Sequence, residues 1–160
     1  MRALIIVDVQ YDFLPGGALA VPQGDEIIPV INELIPRFEH VIATQDYHPA
    51  GHGSFASQHP PHQPGELIDL HGLQQVLWPD HCVRGTTGAD FAASLQLPAK
   101  TKVFQKGMDP KVDSYSGFFD NGKRHSTGLS DYLRAQGIDE VVVTGLAADY
   151  CVKFTALDAL

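Results

Sequence analysis

The first apolar run of the chain, Leu4-Ile5-Ile6-Val7, continues to Val9 with only Asp8 breaking it. A continuous run of this kind, rather than an alternating one, predicts a strand buried on both faces, as in a parallel sheet. Between Gly24 and Phe38 the period changes: Ile27, Ile28, Ile31, Leu34 and Ile35 fall on one face of a helix. Pro29 is tolerated only in a first helical turn, so that helix is expected to start near position 26. Residues 40–44 (HVIAT) predict a second strand running into Gln45-Asp46. Residues 47–88 are rich in Gly, Pro, His and Ser and show little periodicity, which predicts a long loop of the kind that often carries function. Residues 102–104 predict a third strand ending at Lys106-Gly107, followed by another loop over 107–126 with a turn at Asp120-Asn121-Gly122. Ser126 or Thr127 is placed to cap a helix through Leu129, Tyr132 and Leu133 that stops at Gly137. Residues 140–144 (EVVVT) predict a fourth strand, and a helix is expected to begin near Asp149 or Cys151.

Strands alternating with helices imply an α/β fold in three layers, α/β/α, with a central parallel, Rossmann-like sheet. In such sheets ligands bind beyond the carboxyl ends of the strands. Asp8, Asp46, Lys106 and Cys151 each stand at the end of a predicted strand or just after it. Their convergence is expected whatever the family.

With 160 residues, 44% of them hydrophobic, the chain suits one domain over residues 1–160. Its formal net charge of −8 repels phosphate backbones and anionic lipid heads, so neither nucleic acid nor a membrane surface is an expected partner. No apolar run approaches the roughly 20 residues of a membrane span. The start reads as a strand rather than an export signal. Two cysteines, Cys82 and Cys151, do not make a disulfide framework. A reducing cytoplasm and free thiols are therefore expected. The last residues, Leu157-Asp158-Ala159-Leu160, stop inside an apparent helix, so a further strand and helix are expected to be missing. A homo-oligomer is compatible with all of this.

Cys151 follows a strand and a turn, where a helix start would lower a thiol pKa and unpaired N–H groups would hold an oxyanion. The alternative is a small buried apolar residue. Asp8 is placed to take the thiol proton, and an Asp in an apolar strand is costly to bury without a purpose. Lys106 is placed to stabilise the thiolate or Asp8, although by itself it reads as a solvated lysine. Asp46 and His48, at i and i+2 of an extended chain, point to one side and suit a divalent metal, with His81 as third ligand. Zinc, iron(II) and manganese all fit two imidazoles and a carboxylate. Six of the eight histidines lie between positions 48 and 81. His40, His59, His62, His71 and His125 read as surface residues, and His52 is undecided. Cys82 lacks the helix-start context and reads as a packed thiol. Phe13, Trp78 and Tyr115 sit in the site loops and suit a slot for a flat ring, or ordinary packing.

These segments together resemble the isochorismatase-like hydrolases, and among them the nicotinamidases. The resemblance is carried by residues 3–13 (ALIIVDVQYDF) with Gly16-Gly17, by Thr44-Gln45-Asp46-Tyr47-His48-Pro49, and by His52-Gly53-Ser54-Phe55. It continues in Trp78-Pro79-Asp80-His81-Cys82-Val83, Lys106-Gly107, residues 113–118 (DSYSGF) and residues 145–152 (GLAADYCV). It implies a catalytic Asp8, Lys106 and Cys151, metal ligands Asp46, His48 and His81, and a cis Leu146–Ala147 peptide. The N–H groups of Ala147 and Cys151 would then form the oxyanion hole. The implied reaction is hydrolysis of nicotinamide, and of pyrazinamide, through a thioester, with the substrate ring nitrogen on the metal. The metal ligand set argues against isochorismatase itself. Ala148 departs from the usual Thr, and family members are longer. The rival expectations are a different small amide, a metal-hydroxide hydrolase with no covalent step, or a non-catalytic binding protein.

Overall fold

The computed structural model describes residues 1–160. In chain order the elements are β1 (Arg2–Val7), α1 (Ile27–Leu34), β2 (His40–Asp46), β3 (Leu67–Leu70), β4 (Leu73–Val76), β5 (Lys102–Lys106), α2 (Leu129–Ala135), β6 (Glu140–Gly145) and α3 (Lys153–Ala159). Four strands make the central sheet in the order β5-β2-β1-β6, and every pairing in it is parallel.

The continuous apolar run of β1 has the expected cause. Leu4 and Ile6 pack with Ile28, Ile31 and Ile35 of α1 and the turn after it. Ala3, Ile5 and Val7 pack on the opposite face with Leu129 and Leu133 of α2. Successive side chains of a strand face opposite ways, so a central strand needs apolar residues at every position. β6, at the sheet margin, is only half-buried. Pro29 is the third residue of α1, within its first turn, as its missing N–H requires. α2 ends before Gly137, which takes the left-handed conformation (φ 67°).

The cap of α2 differs from expectation. Gly128 is the N-cap residue. Thr127 Oγ1 accepts the Leu129 N–H and Ser126 Oγ accepts the Gly128 N–H, so both hydroxyls brace the turn from outside it. The expected loop over 47–88 also contains more order than its composition indicates: β3 and β4 form an antiparallel hairpin inside it. No helix is long and apolar enough to cross a membrane.

The winding direction reverses between β1 and β6, which is where an open parallel sheet leaves a crevice at its carboxyl edge. Asp8 leaves β1 there in a left-handed conformation (φ 50°). Cys151 arrives there from β6, in a π-helical turn (Ala148–Val152) that feeds α3. Asp46 and Lys106 are the last residues of the adjacent strands and lie in register.

Candidate active site

Lys106 is the hub of the polar cluster. Its side chain is fully buried, and Nζ lies 2.9 Å from Asp8 Oδ2, 3.5 Å from Asp46 Oδ1 and 3.4 Å from Cys151 Sγ. It also donates to the Ser114 carbonyl at 2.8 Å. The solvated lysine that position 106 suggests by itself is therefore corrected: burial among two carboxylates is what its charge balances. Asp8 Oδ1 accepts a 2.7 Å hydrogen bond from Thr44 Oγ1. Asp8 Oδ2 receives the Lys106 charge but no well-directed hydrogen bond, which leaves it able to accept a proton.

Charge and burial set the protonation states. Burial raises Asp8 above the ordinary carboxyl value, with Asp46 adding and Lys106 opposing. Burial works the same way on Asp46, but His48 and Lys106 outweigh it and hold that carboxyl well below the usual range. Burial would strip Lys106 of its proton, yet Asp46 and Asp8 keep it firmly charged. Cys151 corrects an expectation. Burial, with Asp8 and Asp46 adding, pushes its thiol well up, against the pull of Lys106. The turn before the short α3 does not reverse this, so the resting group is a neutral thiol. Asp8 and the thiol meet at Lys106 Nζ, which reaches both.

On the other side of Asp46 stand two imidazoles. Asp46 Oδ2 lies 2.9 Å from His48 Nε2 and 3.3 Å from His81 Nε2. His48 Nδ1–H donates to the Gly107 carbonyl (2.7 Å) and His81 Nδ1–H to the Pro79 carbonyl (2.8 Å). Each backbone bond turns an Nε2 toward the same point. His81 comes from far along the chain because the backbone N–H of His48 donates to the Cys82 carbonyl (2.9 Å), extending the line of β2. Gly107 (φ 67°) is required here, since a Cβ would lie 2.5 Å from His48 Cε1 and 2.9 Å from Asp46 Oδ1.

This donor set fits a divalent metal. Asp46, His48 and His81 are buried, and their ligand atoms lie within 4.8 Å of one another. Burial alone would lower His48, but Asp46 overrides it and raises the imidazolium to about 9. A metal ion bound by Nε2 would displace any proton held there. His52 falls in a second group with His48 and Asp113. Its Nδ1 is engaged by Ser54 and its buried Nε2 has no hydrogen-bond partner.

A pocket of about 270 Å³ opens onto Cys151, Asp46 and His81. Phe13, Trp78 and Tyr115 line it, as expected, together with Tyr150, Leu19 and Val21. Trp78 and Tyr115 meet Tyr150 edge-on at 5.0 and 5.2 Å between ring centroids. Tyr150 was missed by sequence reasoning, although its place beside Cys151 was a signal. Thr44, Gln75 and Asp113 were missed as well. Gln75, on β4, donates to Asp113 Oδ2 (3.0 Å) and to Tyr115 Oη (3.3 Å). The Leu146–Ala147 peptide is cis, and Ala147, which lines the same pocket as Cys151, has no acceptor for its N–H within the chain. Cys82 is buried at 0% exposure with its thiol pushed up, which fits a packed residue. His62, His71 and His125 are exposed, while His40 and His59 are half-buried. His59 Nε2–H donates to the Gly53 carbonyl (2.7 Å).

A parallel three-layer sheet with an acid, a lysine and a thiol gathered at its carboxyl edge is the frame of a hydrolase of the isochorismatase type. The family profile described as the isochorismatase domain matches residues 2–160. The nicotinamidase of Escherichia coli is 58% identical over 165 residues, which cover 99% of this chain and 76% of that protein. A yeast nicotinamidase, solved with the inhibitor nicotinaldehyde, superposes with a TM-score of 0.95 at 35% identity, covering 99% and 81% of the two chains. The pyrazinamidase of Pyrococcus horikoshii, solved with zinc, superposes with a TM-score of 0.80 at 40% identity, covering 99% and 77%. The chain belongs to the isochorismatase family. Within that family it stands with the nicotinamidases and pyrazinamidases, and it is an amidohydrolase.

Proposed function

We propose that residues 1–160 act as one unit that hydrolyses nicotinamide, and pyrazinamide, to the acid and ammonia through a thioester on Cys151. The observation that carries this reading is the contact of Lys106 with Asp8 and with the Sγ of Cys151, the one of the three that lines the aromatic pocket. A pocket of about 270 Å³ suits a single small ring.

Asp8 takes the proton of Cys151, and Lys106 offsets the charge on the pair. The thiolate attacks the amide carbon, forming the S–C bond, and the Ala147 and Cys151 N–H groups receive the oxyanion. Collapse breaks the C–N bond as Asp8 returns its proton to the leaving nitrogen, releasing ammonia. Water then gives a proton to Asp8 and its oxygen to the thioester carbon. The S–C bond breaks and Asp8 hands the proton back to the sulfur. Thr44 keeps one Asp8 oxygen occupied, which directs the other toward the thiol and substrate. Phe13, Trp78, Tyr115 and Tyr150 enclose the ring and exclude water.

Asp46, His48 and His81 would hold a divalent ion, zinc being favoured by the zinc-bound relative and by the donor set, with iron(II) and manganese as alternatives. Such an ion supplies a Lewis acid to the substrate's ring nitrogen. A free thiol nucleophile suits a reducing compartment such as the cytoplasm. The test is ammonia release from nicotinamide by purified protein, with and without a chelator. Release that a chelator stops and added zinc restores is expected. No release from folded, zinc-loaded protein would defeat the reading, and turnover that survives alkylation of Cys151 would defeat the covalent scheme.

A further inference from the structure

We infer that Gln10 is a positioning residue for the candidate metal site: its side-chain amide holds the main chain of Asp46 where the sheet no longer reaches it. The inference rests on the reading of Asp46 as an ion ligand.

β1 pairs with β2 only as far as Val7 opposite Thr44, because Asp8 then turns away. β2 runs on to Asp46 with β5 as its one strand neighbour, Asp46 lying opposite Lys106. The backbone N–H and C=O of Asp46 are thus left without a strand on the β1 side. Gln10 fills that place. Its Oε1 accepts the Asp46 N–H (2.9 Å), and its Nε2–H donates to the Asp46 carbonyl (2.7 Å). One primary amide here does what a residue of a neighbouring strand would do. The second Nε2 hydrogen goes to the Ala89 carbonyl (2.8 Å), which also accepts from Gln45 Nε2 (2.9 Å).

Gln10 is completely buried, and both hydrogens and the oxygen of its amide are engaged. Burying an amide is costly unless it is paired, so this placement is specific. Asp46 is the residue whose position matters most. Its Oδ2 meets both imidazoles and its Oδ1 meets Lys106. A main-chain shift at Asp46 moves all three contacts together, and outer partners of this kind tune ion affinity.

A plain structural strut is the competing account, and the chain contains one for comparison. Asn32 uses the same device, donating to the Ser94 carbonyl (2.9 Å) and accepting the Gln96 N–H (2.8 Å), outside the pocket lining. Cutting either strut lowers stability. Only cutting Gln10 should move ion affinity.

The experiment titrates zinc into chelator-stripped protein in competition with a chromophoric chelator, for the wild type, Gln10→Leu, Gln10→Glu and Asn32→Ala, with a thermal midpoint for each. Gln10→Leu is expected to raise the zinc Kd by about tenfold or more. Gln10→Glu, of the same shape, keeps the acceptor but sets an oxygen against two carbonyls, and is expected to do likewise. Asn32→Ala should lower the midpoint and leave the Kd unchanged. A lowered midpoint with a Kd within about twofold of wild type in a folded Gln10 variant would overturn the inference, leaving the metal reading intact. Failure of both Gln10 variants to fold even in excess zinc would assign Gln10 to the core and overturn it too, because a weakened site is rescued by mass action. A wild type that takes up no zinc would remove the metal reading and this inference together.

Discussion

Asp8, Lys106 and Cys151 leave the sheet at strand ends or within a short turn of them, whereas His48 and His81 ride on chain that belongs to no strand. The thiol side therefore inherits its geometry from parallel pairing, with Lys106 in register with Asp46 and Asp8 one residue past β1. The metal side is assembled from single bonds: a histidine to the Gly107 carbonyl, another to the Pro79 carbonyl, and a backbone bridge at Cys82. The electrostatics differ in the same way. The thiol side encloses the Lys106 cation beside Asp8 and Asp46, while on the metal side Asp46 draws positive charge to His48, raising its imidazolium to about 9. A sheet edge suits a site whose groups must keep fixed distances from one another. Loop-borne imidazoles would suit a site that takes up a cation from solution.

The sharpest break between the two sides is expected from Cys151→Ala. Turnover should fall by about four orders of magnitude or more, as for other nucleophile deletions, with zinc affinity unchanged by competition titration. Retained turnover would mean that the thiol side is not where the chemistry occurs.

Asp8→Asn is expected to cost about 10²–10⁴ in kcat. In the wild type Asp8 is raised by burial, and in the proposed scheme its ionised form accepts the thiol proton. The carboxylate is therefore lost as pH falls through a value above that of ordinary Asp. The acid limb of kcat/KM should turn at that point, as an apparent value of the Asp8–Cys151 pair. Asp8→Asn should remove the limb. A limb unchanged in that variant would assign it to another group.

Removing the ion by dialysis against a chelator should cost about a hundredfold or more in turnover, since the Lewis-acid contribution amounts to several kcal/mol. Iodoacetamide labelling followed by mass spectrometry should still find Cys151 modified and Cys82 spared. Loss of Cys151 labelling on stripping would show the two sides to be one unit. Thr44→Val should have a smaller effect, lowering kcat about tenfold by freeing the Asp8 carboxylate to rotate, with little change in KM. Cys82→Ala should be the mildest. It should destabilise the fold by about 1–2 kcal/mol through lost packing, seen in chemical denaturation, and leave kcat within about twofold.

This division also accounts for what could be read from the chain alone. The strands, α1 and the convergence of Asp8, Asp46, Lys106 and Cys151 follow from period and position, because a parallel sheet imposes both. The β3–β4 hairpin escaped because each strand is only four residues long and one of its two buried positions is the polar Gln75, so the apolar pattern is too short and broken to read. Thr44 and Gln10 escaped for a different reason. A polar residue inside an apolar run says that something is paired, but not with what, and their partners lie 36 positions away. The thiol pKa was misjudged because local reasoning at Cys151 counts the turn and the lysine. It does not count burial or the two carboxylates that folding brings in.

Gln75 opens a route for engineering. It sits on a two-stranded ribbon that pairs with nothing in the central sheet, yet it braces Asp113 and Tyr115 at the wall of the ring pocket. One wall of the pocket, at Asp113 and Tyr115, is thus braced from a module separate from the strands that carry Asp8 and Lys106. Exchanging that ribbon between relatives is a way to reset that one wall while leaving the sheet-borne groups where they are.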